Sequence, residues 1–144
     1  MAFSIGTEVH SSFEKYNFKR LTIEDIYRLA TVVLFPSQTE GRGLPIIESS
    51  AAGIPIICSR YQPEEIFASV VGEDLTEDHQ IHYILFPEKQ YTKSFLDEIT
   101  EVLINPQKRE EHNKHNIEVT RQRYSRKVMH RAFNEYLNQL LLSK

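Results

Sequence analysis

Residues 31–53 read TVVLFPSQTEGRGLPIIESSAAG, and the order of their parts decides the fold. The apolar run Thr31-Val32-Val33-Leu34-Phe35 stops at Pro36, which has no N–H to give to a strand ladder. Val32–Phe35 is apolar throughout, the pattern of a strand covered on both faces. A polar loop with two glycines follows. An apolar helix is then expected from about Leu44 to Ala52, with Ile46, Ile47, Ala51 and Ala52 turned inward. Gly53 ends it as a left-handed C′ residue.

A strand, a glycine turn and a helix N-terminus aim free amides and the helix dipole at one spot, which suits an oxyanion. Gly41 and Gly43, on either side of Arg42, let a ligand approach the backbone closely. Open parallel sheets bind ligands at the carboxyl ends of their strands, where this loop lies. Glu40 and Glu48 bracket the turn with seven residues between them. A carboxylate beside a phosphate would repel it, so Glu40 suits sugar hydroxyls. Glu48, one turn into the helix, suits a bidentate pair of hydroxyls, as acidic residues hold ribose. The same residues also fit a solvated loop and an outer helix face, and the residues alone leave both readings open.

Outward from this stretch the chain alternates. Thr22 opens a helix with Asp25 as a weak capping partner, and Ile23, Ile26, Tyr27 and Ala30 face the core. Residues 1–20 give little beyond the loose alternation of Phe3, Ile5 and Val9. Pro55–Cys58 reads as a second buried strand. Pro63 occupies a first helical position, with a helix from Glu64 to about Val70. Residues 72–80 form an acidic loop, and Ile81–Phe86 is a third strand ending at Pro87. Ser94 caps a helix with the stripe Phe95, Leu96, Ile99, Val102 and Leu103, stopped by Asn105-Pro106. A polar helix over 107–123 follows. Ser125 caps a last helix, with Met129, Phe133, Tyr136, Leu137 and Leu140 at helical spacing. Strands separated by helices predict parallel βαβ units in an α/β fold.

The 144 residues fit one domain spanning 1–144: an ill-defined segment 1–20, an α/β core over 21–105 and helices over 106–144. Apolar content of 40% and charged content of 26% are those of a globular chain. No run is apolar enough to span a bilayer and no signal-peptide pattern follows Met1, so a cytoplasmic location is expected. Cys58 sits in an apolar run and reads as a reduced buried thiol.

Charge is uneven behind the net −3: residues 1–105 hold 8 Lys/Arg against 16 Asp/Glu, and residues 106–131 hold 8 against 3. The basic block Lys108, Arg109, Lys114, Arg121, Arg123, Arg126, Lys127 and Arg131 has Tyr124 as its only aromatic. Without aromatic interleaving it reads as a solvated helix pair that partly pairs with the acidic portion, rather than a nucleic-acid surface. Contact with an anionic membrane surface or partner is the other use open to it. His79, His82, His112 and His115 read as surface histidines, since no carboxylate or thiol completes a metal set. Ser49 and Ser50 lie on a helix, not at a nucleophile elbow.

Thr39-Glu40-Gly41-Arg42-Gly43-Leu44-Pro45-Ile46-Ile47-Glu48, with Phe35-Pro36-Ser37 before it and Ala52-Gly53-Ile54-Pro55-Ile56-Ile57 after it, resembles the signature of glycosyltransferase family four, with its E-x7-E motif. Asp25-Ile26-Tyr27, Tyr61-Gln62-Pro63-Glu64-Glu65-Ile66 and the stretch from Asn116 to Tyr124-Ser125 extend the similarity over about Leu21 to Tyr124. The resemblance implies a retaining, metal-independent transferase of the GT-B fold, here its donor-binding portion. It implies a partial Rossmann-like parallel sheet of about three to four strands, flanked by helices, with two C-terminal helices.

The ligand it implies is a nucleotide-diphosphate sugar, bound as substrate with no cofactor or metal. Glu40 would be the catalytic-site residue on the sugar hydroxyls. The amides around Gly41, Gly43 and Leu44 would meet diphosphate or sugar, and Glu48 the ribose. Arg42 stands where the family usually has an aromatic residue, and it can pair with a phosphate or lie in solvent.

The family's acceptor half has no counterpart in this chain, nor do the first strands that carry its diphosphate-neutralising Arg and Lys; Lys15, Lys19 and Arg20 lie outside the clear alignment. Catalysis by this chain alone is therefore not expected. A homodimer, a cover from residues 1–20, or a separate N-terminal acceptor-domain polypeptide is expected at the edge of Val32–Phe35. A non-catalytic module that binds nucleotide sugars weakly, or a protein partner, is the alternative.

Overall fold

Three apolar runs pair in parallel because a helix after each of the first two returns the chain along the sheet. The computed structural model describes residues 23–142. In order, these form α1 (Ile23–Leu29), β1 (Val33–Phe35), α2 (Leu44–Ala52), β2 (Ile56–Cys58), α3 (Glu64–Val71), a 3-10 turn at Glu77–His79, and β3 (Ile84–Leu85). Then come α4 (Lys93–Ile104), a second 3-10 turn at Pro106–Arg109, α5 (Glu110–Tyr124) and α6 (Arg126–Leu142). The sheet order is β1-β2-β3, with Val33 opposite Ile56, Phe35 opposite Cys58, and Cys58 opposite Leu85. This is an α/β fold with a partial Rossmann-like sheet and C-terminal helices, as expected.

The register sorts the core into two layers. Val33, Phe35, Ile56 and Cys58 face Ile46 of α2, Phe67, Val70 and Val71 of α3, and Val119 of α5. Ile57 and Ile84 point the other way, onto Phe95, Ile99 and Val102 of α4. Only β2 is buried along its whole length. Leu34 shares the α4 face but lies on β1, an edge strand among the described residues, and it is 58% exposed. The expectation of a first strand covered on both faces is corrected: α4 packs over the β2–β3 half of that face.

Other sequence expectations shift for local reasons. The inward face of α2 is Ile46, Ser49 and Ser50, with Ile47 half-buried against the same core as expected, while Ala51 is exposed. Ser49 tolerates full burial because its hydroxyl donates to the Ile54 carbonyl at 2.7 Å. Gly53 ends α2 at φ 71°, its N–H returning to Ser50 O, as expected of a left-handed C′ residue. Pro63, at ψ 139°, is the extended N-cap of α3 rather than its first helical residue. Thr92, not Ser94, caps α4, because its Oγ1 accepts the Phe95 N–H at 3.2 Å. Ile23, Leu96 and Leu103, assigned to inward stripes, are exposed.

The third strand is shorter than the apolar run Ile81–Phe86 because other groups claim its start. Ile81 N–H goes to Val71 O, and both backbone groups of His82 bond to the Asn116 side chain. At the far end, Ser125 Oγ caps α6 through the Val128 N–H at 3.4 Å. The stripe of α6 forms as a helix face, yet Met129, Phe133, Tyr136 and Leu137 are exposed. Among the described residues, no helix is long and apolar enough to cross a membrane.

Candidate functional site

The loop after β1 is held by the segment after β2. Thr39 bridges to Gln62 in parallel, Glu40 N–H donates to Gln62 O at 2.9 Å, and Gln62 N–H donates to Gln38 O at 2.9 Å. Two strands that splay apart past the sheet thus meet once more beyond it, fixing the carboxyl-end loop on which ligands sit in such folds. Glu40 is half-buried, and its Oε1 accepts from the N–H of Gly41 at 2.8 Å and of Arg42 at 3.4 Å. The turn therefore presents its amides to a negative charge, and the charge on them is its own carboxylate.

Gly43 is the N-cap of α2 in the left-handed region, at φ 59°. A Cβ there would collide with the hydroxyl of Tyr61 and press on Val70. Glycine at 43 is thus required twice, by backbone sign and by space. Leu44 opens the helix and is exposed, and Pro45 behind it has no N–H to leave unpaired. Arg42 is exposed, with its side chain on the solvent side of the turn.

Glu48 lies one turn into α2 and faces α1. Its Oε2 accepts the Tyr27 hydroxyl at 3.0 Å. The two line an open cavity of about 440 Å³ between α1, α2 and α5, with Arg28, Ala51 and Ile117 in its walls. Burial, then the Glu48 hydrogen bond and charge, push the Tyr27 phenol up to about 12, so it stays a donor. The sequence placed Tyr27 in the core. Its partnership with Glu48, 21 residues on, has no local signal. Tyr61, part of the stretch that resembles the family pattern, is fully buried behind Gly43, and its place just past a buried strand is the hint the sequence offers.

His82 corrects a second expectation, while His112 is exposed as expected. His82 is half-buried, stacked on His115 at 4.2 Å and edge-on to His112 at 5.3 Å. His115 Nε2 lies 2.9 Å from Gln80 O, so this nitrogen carries the proton. Among the described residues, no group of three His, Cys, Asp or Glu side chains is arranged to hold a metal ion.

The basic block is largely engaged within the fold. Lys108 and Arg109 pair with Glu101 and Glu98 of α4, while Lys114 and Arg121 pair with Glu110 and Glu118 along α5. Arg123 donates to the carbonyls of Ser69 at 2.6 Å and His79 at 3.2 Å.

A parallel α/β sheet with a glycine-capped helix at the carboxyl end of its edge strand, an edge among the described residues, defines a Rossmann-like protein whose candidate loop spans residues 36–44. The family model described as glycosyl transferases group 1 matches residues 6–119, and the chain belongs to that family. No curated protein matches the sequence significantly. The family assigns a function of the glycosyltransferase type.

Proposed function

We propose that the chain is the nucleotide-sugar donor-binding part of a retaining, metal-independent glycosyltransferase. The observation that carries this reading is the pair of Gly41 and Arg42 amides converging on the Glu40 carboxylate oxygen, beside the left-handed N-cap of α2. Amides that converge on one oxyanion in this loop suit a diphosphate oxygen equally well. As the bond from the anomeric carbon to the diphosphate breaks, negative charge grows on the leaving oxygen. Fixed N–H donors at Gly41, Gly43 and Leu44 stabilise it there without reorganising. Glu40, released from the amides, accepts from the sugar hydroxyls, and Glu48 takes the ribose hydroxyls in place of Tyr27. The chain works as one donor-binding domain.

The exposed Leu34 on the edge strand favours a neighbour at this edge, either a second copy or a separate acceptor-domain polypeptide. Turnover then requires that neighbour. A module that binds a partner without catalysis is the second reading, supported by the same edge.

Calorimetric titration with UDP-glucose, GDP-mannose and ADP-glucose tests the donor site. Binding of at least one, abolished by Glu48→Ala, is the expected result. Failure of all three to bind, or binding indifferent to Glu48→Ala, rejects it.

A further inference from the structure

The hydroxyl of Tyr61 is fully enclosed and has no hydrogen-bond partner among the described residues. Buried hydroxyls are nearly always paired, because an unpaired one loses its water and gains nothing. The ring cannot swing it elsewhere: Phe35 and Phe67 pack on it edge-to-face, with centroids at 6.3 and 5.1 Å. The hydroxyl therefore points permanently at Gly43, in the space a Cβ would fill. Its chain neighbour Gln62 holds the backbone of Glu40. Burial, and next the nearby charge of Glu40, push the phenol up to about 12, so it is a donor at every ordinary pH.

A second observation concerns Glu40 itself. Its carboxylate now covers the Gly41 and Arg42 amides, the position that the proposed function gives to a phosphate oxygen. Two anions cannot share those amides, so ligand binding displaces the carboxylate from them. The Tyr61 hydroxyl, an enclosed donor without a partner among the described residues, lies near enough to feel the charge of Glu40.

We propose that Tyr61 is a positioning residue for Glu40: once a donor phosphate takes the Gly41 and Arg42 amides, the Tyr61 hydroxyl receives the displaced carboxylate and holds it toward the sugar. This rests on the donor-binding reading above. It makes Tyr61 silent toward the nucleoside diphosphate and effective only toward the sugar.

The test uses the full chain and its Tyr61→Phe, Glu40→Gln and double variants. Each is titrated with UDP-glucose, GDP-mannose and ADP-glucose and with UDP, GDP and ADP. Tyr61→Phe keeps the ring, so its melting temperature is expected to equal or exceed that of the parent. Its nucleoside-diphosphate affinity should stay within about twofold, while nucleotide-sugar affinity falls about tenfold, the size of one charge-assisted hydrogen bond. The double variant should bind no more weakly than Glu40→Gln alone. Independent, multiplying losses, equal losses for diphosphate and sugar, or an unchanged nucleotide-sugar affinity in Tyr61→Phe would overturn the assignment. A parent chain that binds the diphosphates but gains nothing from the sugar overturns it too, and leaves the diphosphate site standing. A parent that binds none of the six compounds rejects the donor reading and this assignment together.

Discussion

The side-chain amide of Asn116 satisfies both backbone groups of His82: its Oδ1 accepts the His82 N–H and its Nδ2 donates to the His82 carbonyl, each at 2.8 Å across 34 residues of sequence. A side chain thus takes the place of a strand neighbour. It delays the start of the third strand and locks α5 across the layer that carries the candidate site. Asn116 itself is buried.

Asn116→Ala should cost about 2–4 kcal/mol, because it leaves a buried N–H and a buried C=O without partners. Urea denaturation measures the loss. Hydrogen exchange at the His82 amide locates it, with faster exchange there than at Ile57 on the central strand. A variant as stable as the parent would show that the pair is not needed to hold α5.

Acidification should loosen the same contact. The His82 imidazole is held below the usual histidine range, first by burial and then by His115 and His112, with Arg109 adding to the effect and Glu77 opposing it. Between its folded value and the ordinary value near 6.5, the unfolded chain binds more protons. The contribution is therefore complete above about pH 6.5 and is lost as pH falls toward the folded value. Glu73, Asp78, Glu101 and Glu110, held low by their hydrogen-bonding partners, lose theirs only at lower pH, in the carboxylate range. Melting temperatures from pH 8 to pH 5 should fall for the parent and flatten for His82→Phe. Parallel curves would remove His82 as the cause.

The two glycines of the turn should answer alanine in opposite ways. Gly43→Ala meets both the left-handed backbone and the Tyr61 hydroxyl, for a loss of about 2–4 kcal/mol. Nothing lies within 4 Å of a Cβ at Gly41, whose φ is outside the left-handed region. Gly41→Ala should thus be within about 0.5 kcal/mol of the parent. Thermal unfolding of the pair decides it, and equal losses would contradict the geometry.

Cys58 should be chemically silent in the folded chain. It is fully buried, and burial pushes its thiol up to about 12. Ellman's reagent at pH 8 should therefore react at the rate of unfolding, and promptly in guanidinium. Prompt labelling of the native chain would mean that the sheet opens locally.

Much of the fold is legible in residues 31–58. An apolar run, a glycine turn and a helix of the right length, followed by a second apolar run, leave few options but a parallel βαβ unit. The helix bounds Leu44 to Ala52 match the structure, because Gly43 and Gly53 mark both ends by backbone conformation. The site is legible only in outline. Glu40, Gly41, Gly43 and Leu44 fall on one turn, as their spacing implies, and Glu48 falls one turn on. The partners of those carboxylates are not legible: Glu40 turns back on its own backbone, and Glu48 finds Tyr27 on another helix.

By itself, then, the sequence determined the order and type of the main elements, the helix-ending Gly53 and the family. Local backbone conformation and periodicity are properties of neighbouring residues, so a linear chain displays them. Only the tertiary structure decided which faces are covered. Leu34 and Ile57 lie side by side in register on one face, yet only Ile57 is buried, because α4 packs over it and not over Leu34. His82 meets Asn116, and Tyr61 meets Gly43, for the same reason. A residue's periodicity names the face it shares; what lies across from that face depends on elements distant in the chain.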